Sequence, residues 1–447
     1  MSTPKTLVIG IDGAPYTLLS EYMERGYLPN FKRILGSGFN LAQMDASIPD
    51  VSSTSWTSFM TGVNPGEHGI YGFMELKYGT YKMSFPNFMD VQAPSIWDIT
   101  GGKSEKGSTL FDRYRGKVDK TLRSIVLNIP QTFPAMPLNG ILTAGFVCPD
   151  LKKGTYPESA YDYLKSMGYI PDVDANRAAT DPEGFFREAF LALEKRAEAY
   201  EHFLNNESWE LFIGVITETD RLHHFFFDAA LDGSHRYHET FVSFYRKMDE
   251  VVGRLFDRFM EITSGAGLFM TMSDHGFTVI EKEVYLNTWL KENGYLNLNP
   301  SREFFEQIDS GSKAFAMDPS RIYINVEGRY PLGSVSDNDK RQVIEGLKKG
   351  LENITYNGRP VIKAVYGKDA LYKGRATDKA PDLVCIAHDG FDLKGNLKKQ
   401  DVFGTSHFRG MHTRHDAHCI MPAAAAPSER LHIENLADII LAHLIGG

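Results

Sequence analysis

Cysteine is scarce in this chain, and its few cysteines are far apart. The 447 residues include only Cys148, Cys385 and Cys419, and no two of them have the Cys-x-x-Cys spacing. This scarcity argues against both a framework of disulfides and a zinc site made of thiolates. We interpret the three residues as buried free thiols, which is typical of proteins in a reducing compartment.

Long hydrophobic runs and clusters of basic residues are also missing. No segment approaches the roughly 20 apolar residues that a membrane-spanning helix requires, so we expect a cytoplasmic protein. The formal net charge of -9 and the lack of a Lys/Arg run argue against nucleic acid as a partner. The content of 42% hydrophobic and 23% charged residues is ordinary for a soluble globular protein.

Apolar runs typical of strands alternate with amphipathic helical stretches along most of the chain. This order predicts an α/β protein with a mostly parallel central sheet covered by helices. We divide the chain into a core of residues 1–299, an inserted α+β subdomain of residues 300–380, and a returning core of residues 381–447. The returning core is predicted to begin with a strand at 381–386, and a helix is predicted at 284–291.

The segment Ser273–Gly276 combines an acid, Asp274, with an imidazole, His275, directly after an apolar run. The run Gly267–Met272 is typical of a buried strand. Sites of open α/β sheets are built where such strands end. One carboxylate oxygen and one imidazole nitrogen suit zinc or another divalent metal. A plain turn is the simpler alternative.

Three further segments place polar groups after predicted strands. Asp12 ends the first strand, where a turn or helix cap is the simpler role. Ser52 precedes a predicted helix, whose free amides would stabilise an alkoxide, so Ser52 is a candidate nucleophile or an N-cap. Asp220 and His224 are four residues apart and would share one helix face, as a ligand pair or as a solvated pair.

The segment Arg409–His418 contains three histidines, His412, His415 and His418, as a metal-binding loop or a surface loop. Together the five segments supply enough acids and imidazoles for two metal ions with a hydroxyl between them. Two metals roughly 4 Å apart can hold the attacking and leaving oxygens of a displacement at phosphorus. The five segments are therefore compatible with a two-metal site of this kind.

In this order the motifs resemble those of the alkaline phosphatase superfamily, most closely its type I phosphodiesterase/nucleotide pyrophosphatase branch. The matching pieces, in order, are Asp12, Ser52 before Thr61-Gly62 and Pro65–Gly69, Asp220 with His224, Asp274-His275-Gly276, and Gly410-x-His412. The resemblance implies an alkaline-phosphatase-like three-layer sandwich with an inserted smaller subdomain. It also implies a phosphate-ester hydrolase that prefers diesters, with a small and nucleotide-like substrate.

The resemblance further implies a role for each matching residue. One metal would be bound by Asp220, His224 and His412, and the second by Asp12, Asp274 and His275. Ser52 would be the nucleophile, would bridge toward the second metal, and would carry a phosphoseryl intermediate. Both ions are expected to be zinc, with manganese, iron or magnesium as the alternatives found in relatives.

Several alternatives stay open in the sequence. Ser53 or Thr54 can replace Ser52 as the nucleophile, and His415 or His418 can replace His412 as the late ligand. A phosphomonoesterase, a phosphonate hydrolase or a phosphoglycerate mutase-like enzyme of the same superfamily would use the same residues. A binding protein that keeps the fold without turnover is the remaining hypothesis. We interpret His68 as a structural residue that fixes the loop after the nucleophile helix.

Overall fold

The computed structural model describes residues 4–102, 104–118 and 121–446. The strands are β1 (Thr6–Ile11), β2 (Phe39–Asp45), β3 (Glu75–Leu76), β4 (Met83–Ser84), β5 (Ser124–Ile129), β6 (Gly140–Ala144), β7 (Thr155–Tyr156), β8 (Leu211–Ile216), β9 (Leu268–Met272), β10 (Gly276–Val279), β11 (Lys282–Tyr285), β12 (Ala314–Met317), β13 (Arg321–Ile324), β14 (Thr355–Tyr356), β15 (Arg359–Pro360), β16 (Ile362–Gly367), β17 (Leu383–Ala387), β18 (Phe391–Lys394), β19 (Phe403–Gly404), β20 (Gly410–Thr413), β21 (Ala417–Pro422) and β22 (Leu431–His432).

The α-helices are α1 (Tyr16–Glu24), α2 (Pro29–Gly36), α3 (Ser52–Thr61), α4 (Pro65–His68), α5 (Ile96–Thr100), α6 (Thr109–Tyr114), α7 (Glu158–Ser166), α8 (Arg177–Thr180), α9 (Pro182–Asn206), α10 (Glu218–Leu231), α11 (His238–Thr263), α12 (Leu286–Glu292), α13 (Asp337–Glu352), α14 (Lys368–Leu371) and α15 (Asn435–Ile445).

A nine-stranded sheet forms the centre of the protein, in the order β22-β2-β21-β9-β1-β8-β5-β6-β7. Within it, β21 and β7 run against the other strands, so the sheet is mostly parallel, as predicted. Its two faces carry separate hydrophobic cores because successive side chains of a strand point to opposite faces. On β1, Leu7 and Ile9 pack into the core that contains α9 and α11, whereas Val8 packs into the core that contains α3 and α15.

A second sheet of four antiparallel strands, β12-β13-β17-β16, has its own hydrophobic core with α13. The prediction that the strand at 381–386 returns to the central sheet is wrong, because β17 pairs with β13 and β16. The strand is apolar along its length because both of its faces are buried. Leu383 and Cys385 pack on the core of this sheet, whereas Val384 packs on Tyr71 and Tyr372. The division of the chain into three parts remains a prediction.

The predicted helix at 284–291 is shorter at its beginning. Val284 and Tyr285 are the last residues of β11, which pairs with β18 and β19, and α12 starts only at Leu286. A β-branched and an aromatic residue favour the strand here. Across residues 4–102, 104–118 and 121–446, no helix combines the length and the apolar character that crossing a membrane requires.

Candidate active site

Three of the candidate acids lie at one edge of the central sheet. Asp12 follows β1 directly, Asp220 lies in the first turn of α10 after β8, and Asp274 follows β9 after one intervening residue. Because β1 pairs in parallel with both β8 and β9, the carboxyl ends of these strands meet. The structure thus brings Asp12 together with two acids that are more than 200 positions away from it along the chain.

The helix that carries the candidate nucleophile reaches the same edge. Ser52 is the first residue of α3, and Trp56 of this helix packs over Gly10 of β1. A Cβ atom at Gly10 would lie 2.4 Å from the Trp56 ring, so the approach requires glycine. It allows Trp56 Nε1 to donate a hydrogen bond of 3.0 Å to Asp12 Oδ2. Gly10 therefore helps to set the orientation of the Asp12 carboxylate.

One cluster, named the first group, consists of Asp220, His224 and His412. Asp220 Oδ1 lies 3.4 Å from Nε2 of each histidine, and the two Nε2 atoms are 3.1 Å apart. Asp220 and His224 share a face of α10, as their spacing indicates. His412 arrives by strand pairing, because β10 pairs antiparallel with β20 and sets Phe277 opposite His412.

The second group consists of Asp12, Asp274 and His275. His275 Nε2 lies 3.8 Å from Asp12 Oδ1 and 3.2 Å from Asp274 Oδ2. Ser52 Oγ is 3.1 Å from His275 Nε2 and 3.4 Å from Asp12 Oδ1. The two groups adjoin each other, since His275 Nε2 is also 3.9 Å from Asp220 Oδ1.

Each of the three acids has one oxygen bound by a donor of the protein and one oxygen turned to the imidazoles. Trp56 holds Oδ2 of Asp12, the Gly13 amide holds Oδ1 of Asp274 at 3.0 Å, and Arg221 holds Oδ2 of Asp220 at 3.1 Å. Among the described residues, Asp220 Oδ1 and Asp274 Oδ2 are buried without any hydrogen-bond partner. Such orphaned oxygens are costly unless a cation compensates them.

The donor separations fit a metal ion. Tetrahedral zinc with bonds of about 2.0–2.1 Å holds its ligand atoms roughly 3.3 Å apart, close to the 3.1 and 3.4 Å of the first group. Ligand atoms that all lie within 4.8 Å of one another occur among the described residues in Asp12, Asp274 and His275, and also in Asp220, His275 and His412, where His275 stands in the place of His224. His412 Nδ1 faces the Asp50 carbonyl at 2.8 Å, which leaves its Nε2 free for an ion.

The pKa values of the acids differ between the two groups. Burial raises the pKa of Asp12 well above its usual range, and the carboxylates of Asp274 and Asp220 raise it further. Burial also raises the pKa of Asp274, to about 6. For Asp220, burial opposes ionisation, but His224, His412 and Arg221 lower its pKa well below the ordinary value.

The imidazoles are also affected. Burial lowers the pKa of His275 far below its ordinary value and lowers the pKa of His224, which favours the neutral form that binds metals. Burial acts in the same direction on His412, but the carboxylates of Asp220 and Asp50 outweigh it and raise the pKa of His412.

The alternative late histidines lie elsewhere. His415 is half exposed and its Nδ1 faces Asp45 Oδ1 at 2.9 Å. His418 is buried, with Nδ1 2.9 Å from the Ala14 carbonyl and Nε2 3.4 Å from Thr271 Oγ1. Neither histidine belongs to the two groups of described ligand atoms.

The remaining candidates of the nucleophile region are buried in α3 and its loop. Ser53 and Thr54 have no exposed surface, and neither lines the small cavity that the described residues form beside Ser52. His68 Nδ1 accepts from the Ile70 amide at 3.2 Å, and its Nε2 lies 2.9 Å from Ser58 Oγ. His68, the last residue of α4, thus links the segment after α3 to α3 itself.

Two cavities adjoin the groups. A cavity of about 30 Å³ is lined by Asp12, Ser52, Phe73, Phe146, Thr217, Asp220, Arg221, His224 and His412. A larger one of about 660 Å³ reaches from His224 and His412 to β17 and β18 of the neighbouring sheets. Among the described residues that line the larger cavity, none comes from the second group. The first group is therefore the one that faces the larger cavity.

Sequence reasoning missed the donors that orient the acids. Trp56, Gly13 and Arg221 carry no motif of their own, and only their contacts across the fold reveal what they do. Arg221 gives the one usable signal, because it stands next to Asp220 on the predicted helix.

A family model described as type I phosphodiesterase / nucleotide pyrophosphatase matches residues 6–414. The chain belongs to this family. The match extends from the first strand to beyond His412 and confirms the resemblance inferred from the order of the motifs. Membership of this family supports a phosphoester hydrolase.

Solved structures establish the fold. Phosphonoacetate hydrolase from Sinorhizobium meliloti 1021, in complex with phosphonoacetate, matches with a TM-score of 0.64 and 15% identity over 99% of this chain and 100% of that chain. Murine ectonucleotide pyrophosphatase/phosphodiesterase 5, inactive and in complex with AMP, matches with a TM-score of 0.55 and 15% identity, over 99% and 95%. The predicted alkaline-phosphatase-like α/β fold is confirmed. No curated protein matches the sequence.

Proposed function

We propose that this chain is a two-metal-dependent phosphodiesterase in which Ser52 is the nucleophile. One observation carries the proposal. Ser52 Oγ lies within 3.4 Å of ligand atoms of the second group, beside the point where the first group adjoins it. The orphaned oxygens of Asp220 and Asp274 add the donor chemistry that two divalent ions need.

In this proposal Asp220, His224 and His412 hold one ion, and Asp12, Asp274 and His275 hold the other. Bound there, two divalent ions, with zinc favoured, would supply Lewis-acid stabilisation of the phosphoryl oxygens and of the attacking and leaving oxygens. The larger number of imidazoles in the first group and of carboxylates in the second group is compatible with zinc in both.

The chain's own residues then orient the reaction. Ser52 Oγ lies 3.4 Å from Asp12 Oδ1 and 3.1 Å from His275 Nε2, and Ser52 lines the small cavity. Ser52 would lose its proton to solvent, and its Oγ would form a bond to phosphorus while the bond from phosphorus to the leaving oxygen breaks and the leaving oxygen takes up a proton. A water oxygen would then bond to phosphorus while the bond from phosphorus to Oγ breaks, and a proton of that water would restore the Ser52 hydroxyl. The position of Ser52 at the start of α3 adds the positive field of the helix amides.

The larger cavity supports a substrate with a sizeable substituent on phosphorus. It opens beside His224 and His412, and about 660 Å³ is within the range of sites for small organic ligands. Phe73 and Phe391 line it together with polar residues. A diester with a nucleotide-like group fits this space better than a compact monoester does.

The proposal is tested by metal content and by hydrolysis of bis-p-nitrophenyl phosphate and p-nitrophenyl phosphate. Wild type is compared with Ser52→Ala and with the matched control Ser53→Ala. We expect close to two metals per chain, a faster diester rate in wild type and Ser53→Ala, and loss of that rate in Ser52→Ala.

The other outcomes lead to different functions. Metals with a faster monoester rate would make the protein a phosphatase. Release of phosphate from phosphonoacetate alone would favour a phosphonate hydrolase. A protein that binds no added zinc or manganese and hydrolyses neither ester would contradict the proposal and favour a binding protein.

A further inference from the structure

A largely buried arginine holds Asp220 from outside the first group. Arg221 Nη1 donates to Asp220 Oδ2 at 3.1 Å, while Nε and Nη2 donate to the two oxygens of Asp172 at 3.2 and 2.9 Å. The guanidinium carbon also lies 4.0 Å from the ring centroid of Phe146. Two carboxylates and one aromatic face thus fix the guanidinium in a single orientation.

Asp220 differs from the other two acids in the kind of donor that holds it. Neutral N–H groups of Trp56 and Gly13 bind Asp12 and Asp274. For Asp220 the donor is a cation, and a second acid anchors that cation in turn. Charge-assisted hydrogen bonds of this kind are roughly twice as strong as neutral ones.

The orientation of Asp220 matters because both groups are within its reach. Its free oxygen Oδ1 is 3.4 Å from His224 Nε2 and His412 Nε2, and only 3.9 Å from His275 Nε2 of the second group. Rotation of the carboxylate would turn Oδ2 inward or move Oδ1 toward the second group. The hydrogen bond from Arg221 to Oδ2 opposes both movements.

We propose that Arg221, anchored by Asp172, is a positioning residue that fixes Asp220 as a one-oxygen ligand of the metal in the first group. The inference rests on the proposed function, since it requires that the first group binds a metal. Arg221 acts through Asp220 and takes no part in bond formation. Lysine cannot replace it, because a single ammonium group cannot form the planar, bidentate contact with Asp172 and still reach Asp220.

The test is a titration of the metal-free protein with zinc in buffers of defined free zinc concentration. Arg221→Lys and Asp172→Asn are compared with wild type. The matched controls Arg33→Lys and Asp257→Asn alter another bidentate pair, with contacts of 2.7 and 3.0 Å, which lies on α2 and α11. Thermal unfolding of each metal-free variant reports on the fold.

We expect one of the two zinc-binding steps to weaken by about 10- to 100-fold in Arg221→Lys and in Asp172→Asn. The other step and both controls stay at the wild-type affinity. With cobalt in place of zinc, the visible d–d spectrum of the weakened site changes as well, because the geometry of a ligand has changed. A merely structural role would lower the melting temperature and leave affinity and spectrum unchanged.

The experiment separates a failure of the proposed function from a failure of the role given to Arg221. Wild type that binds no metal contradicts the proposed function itself. Wild type that binds two zinc ions, together with Arg221→Lys and Asp172→Asn at wild-type affinity and spectrum, overturns only the role of Arg221. If Arg221→Lys does not fold, Asp172→Asn alone decides between the same two results.

Discussion

The two candidate ligand groups of the site differ in how the chain holds them. Asp12, Asp274 and His275 come from the ends of the adjacent strands β1 and β9, and their side chains are at most 4% exposed. His224 and His412 come from α10 and β20, are 26% and 16% exposed, and line the larger cavity. The residues of the second group follow strands of the central sheet, whereas those of the first group come from separate elements that meet at the cavity.

This difference suggests a division of labour. Burial without exposure keeps the second group and Ser52 in fixed geometry, which suits the attacking oxygen. The first group faces the cavity in which we expect the substituents of the ester to lie, which suits the leaving oxygen. We also expect the ion of the first group to exchange faster, because water reaches its histidines.

The largest effect on activity is expected from a substitution in the second group. Asp274→Asn should lower the diester rate by about a thousandfold or more, since it removes a ligand charge from a group whose side chains are almost completely buried. Metal content should fall by one ion per chain, with the far-ultraviolet circular dichroism nearly unchanged. Activity and metal content at wild-type levels would show that Asp274 is not a ligand.

Asp249→Asn is the matched control. Asp249 is equally buried, but it accepts hydrogen bonds from the Asn30 and Phe31 amides, far from both groups. We expect this variant to lose stability and to keep both metals.

A smaller and reversible effect on activity is expected from a substitution in the first group. His224→Ala should weaken one zinc-binding step by more than the roughly 100-fold that loss of an outer partner costs. Water can occupy the vacated position on the cavity side, so excess zinc should restore part of the diester rate. If the same zinc concentration restores the activity of Asp274→Asn but not that of His224→Ala, the first group is not the more accessible of the two.

A pH effect outside both groups tests the role of His68. Burial lowers the pKa of His68 to about 3, from 6.5. Between these values the unfolded chain binds a proton that the folded chain excludes, so stability falls as the pH decreases below 6.5. The slope for this residue is about 1.4 kcal/mol per pH unit.

Urea unfolding of wild type and His68→Gln at pH 7 and pH 5 measures this contribution. The loss of stability from pH 7 to pH 5 should be larger in wild type, since the variant lacks the titrating group. Equal losses in both proteins would contradict the buried neutral state of His68.

The smallest effect is expected at His415. Its side chain is half exposed and faces Asp45, which Arg430 also contacts at 2.7 Å. His415→Ala should therefore change the free energy of unfolding by no more than about 1 kcal/mol and leave the metal content unchanged. Loss of one metal in this variant would restore His415 as a late ligand and remove His412 from the first group.

The sequence predicts the position of the second group better than that of the first group. Asp12 and Asp274 follow apolar runs whose parallel pairing brings their ends together, so strand order is enough to place them. The position of His412 depends on the antiparallel pairing of β10 with β20, across more than 130 intervening residues. The sequence alone therefore does not show which of His412, His415 and His418 is the late ligand.

The error at residues 381–386 has a similar origin. An unbroken apolar run indicates a strand buried on both faces, but it does not say which sheet the strand joins. The neighbours that bury β17 are Tyr71, Tyr372 and the core around α13, and these contacts depend on tertiary packing alone. For the same reason, the donors Trp56 and Arg221 could not be assigned before the fold was known.

The most direct test of the two-group account is a crystal structure of the zinc-loaded protein with anomalous diffraction at the zinc edge. The account predicts two peaks roughly 4 Å apart, one surrounded by Asp220, His224 and His412, and the other by Asp12, Asp274 and His275 with Ser52 beside it. A single peak bound by Asp220, His275 and His412, whose ligand atoms also lie close enough to share one ion, would contradict it.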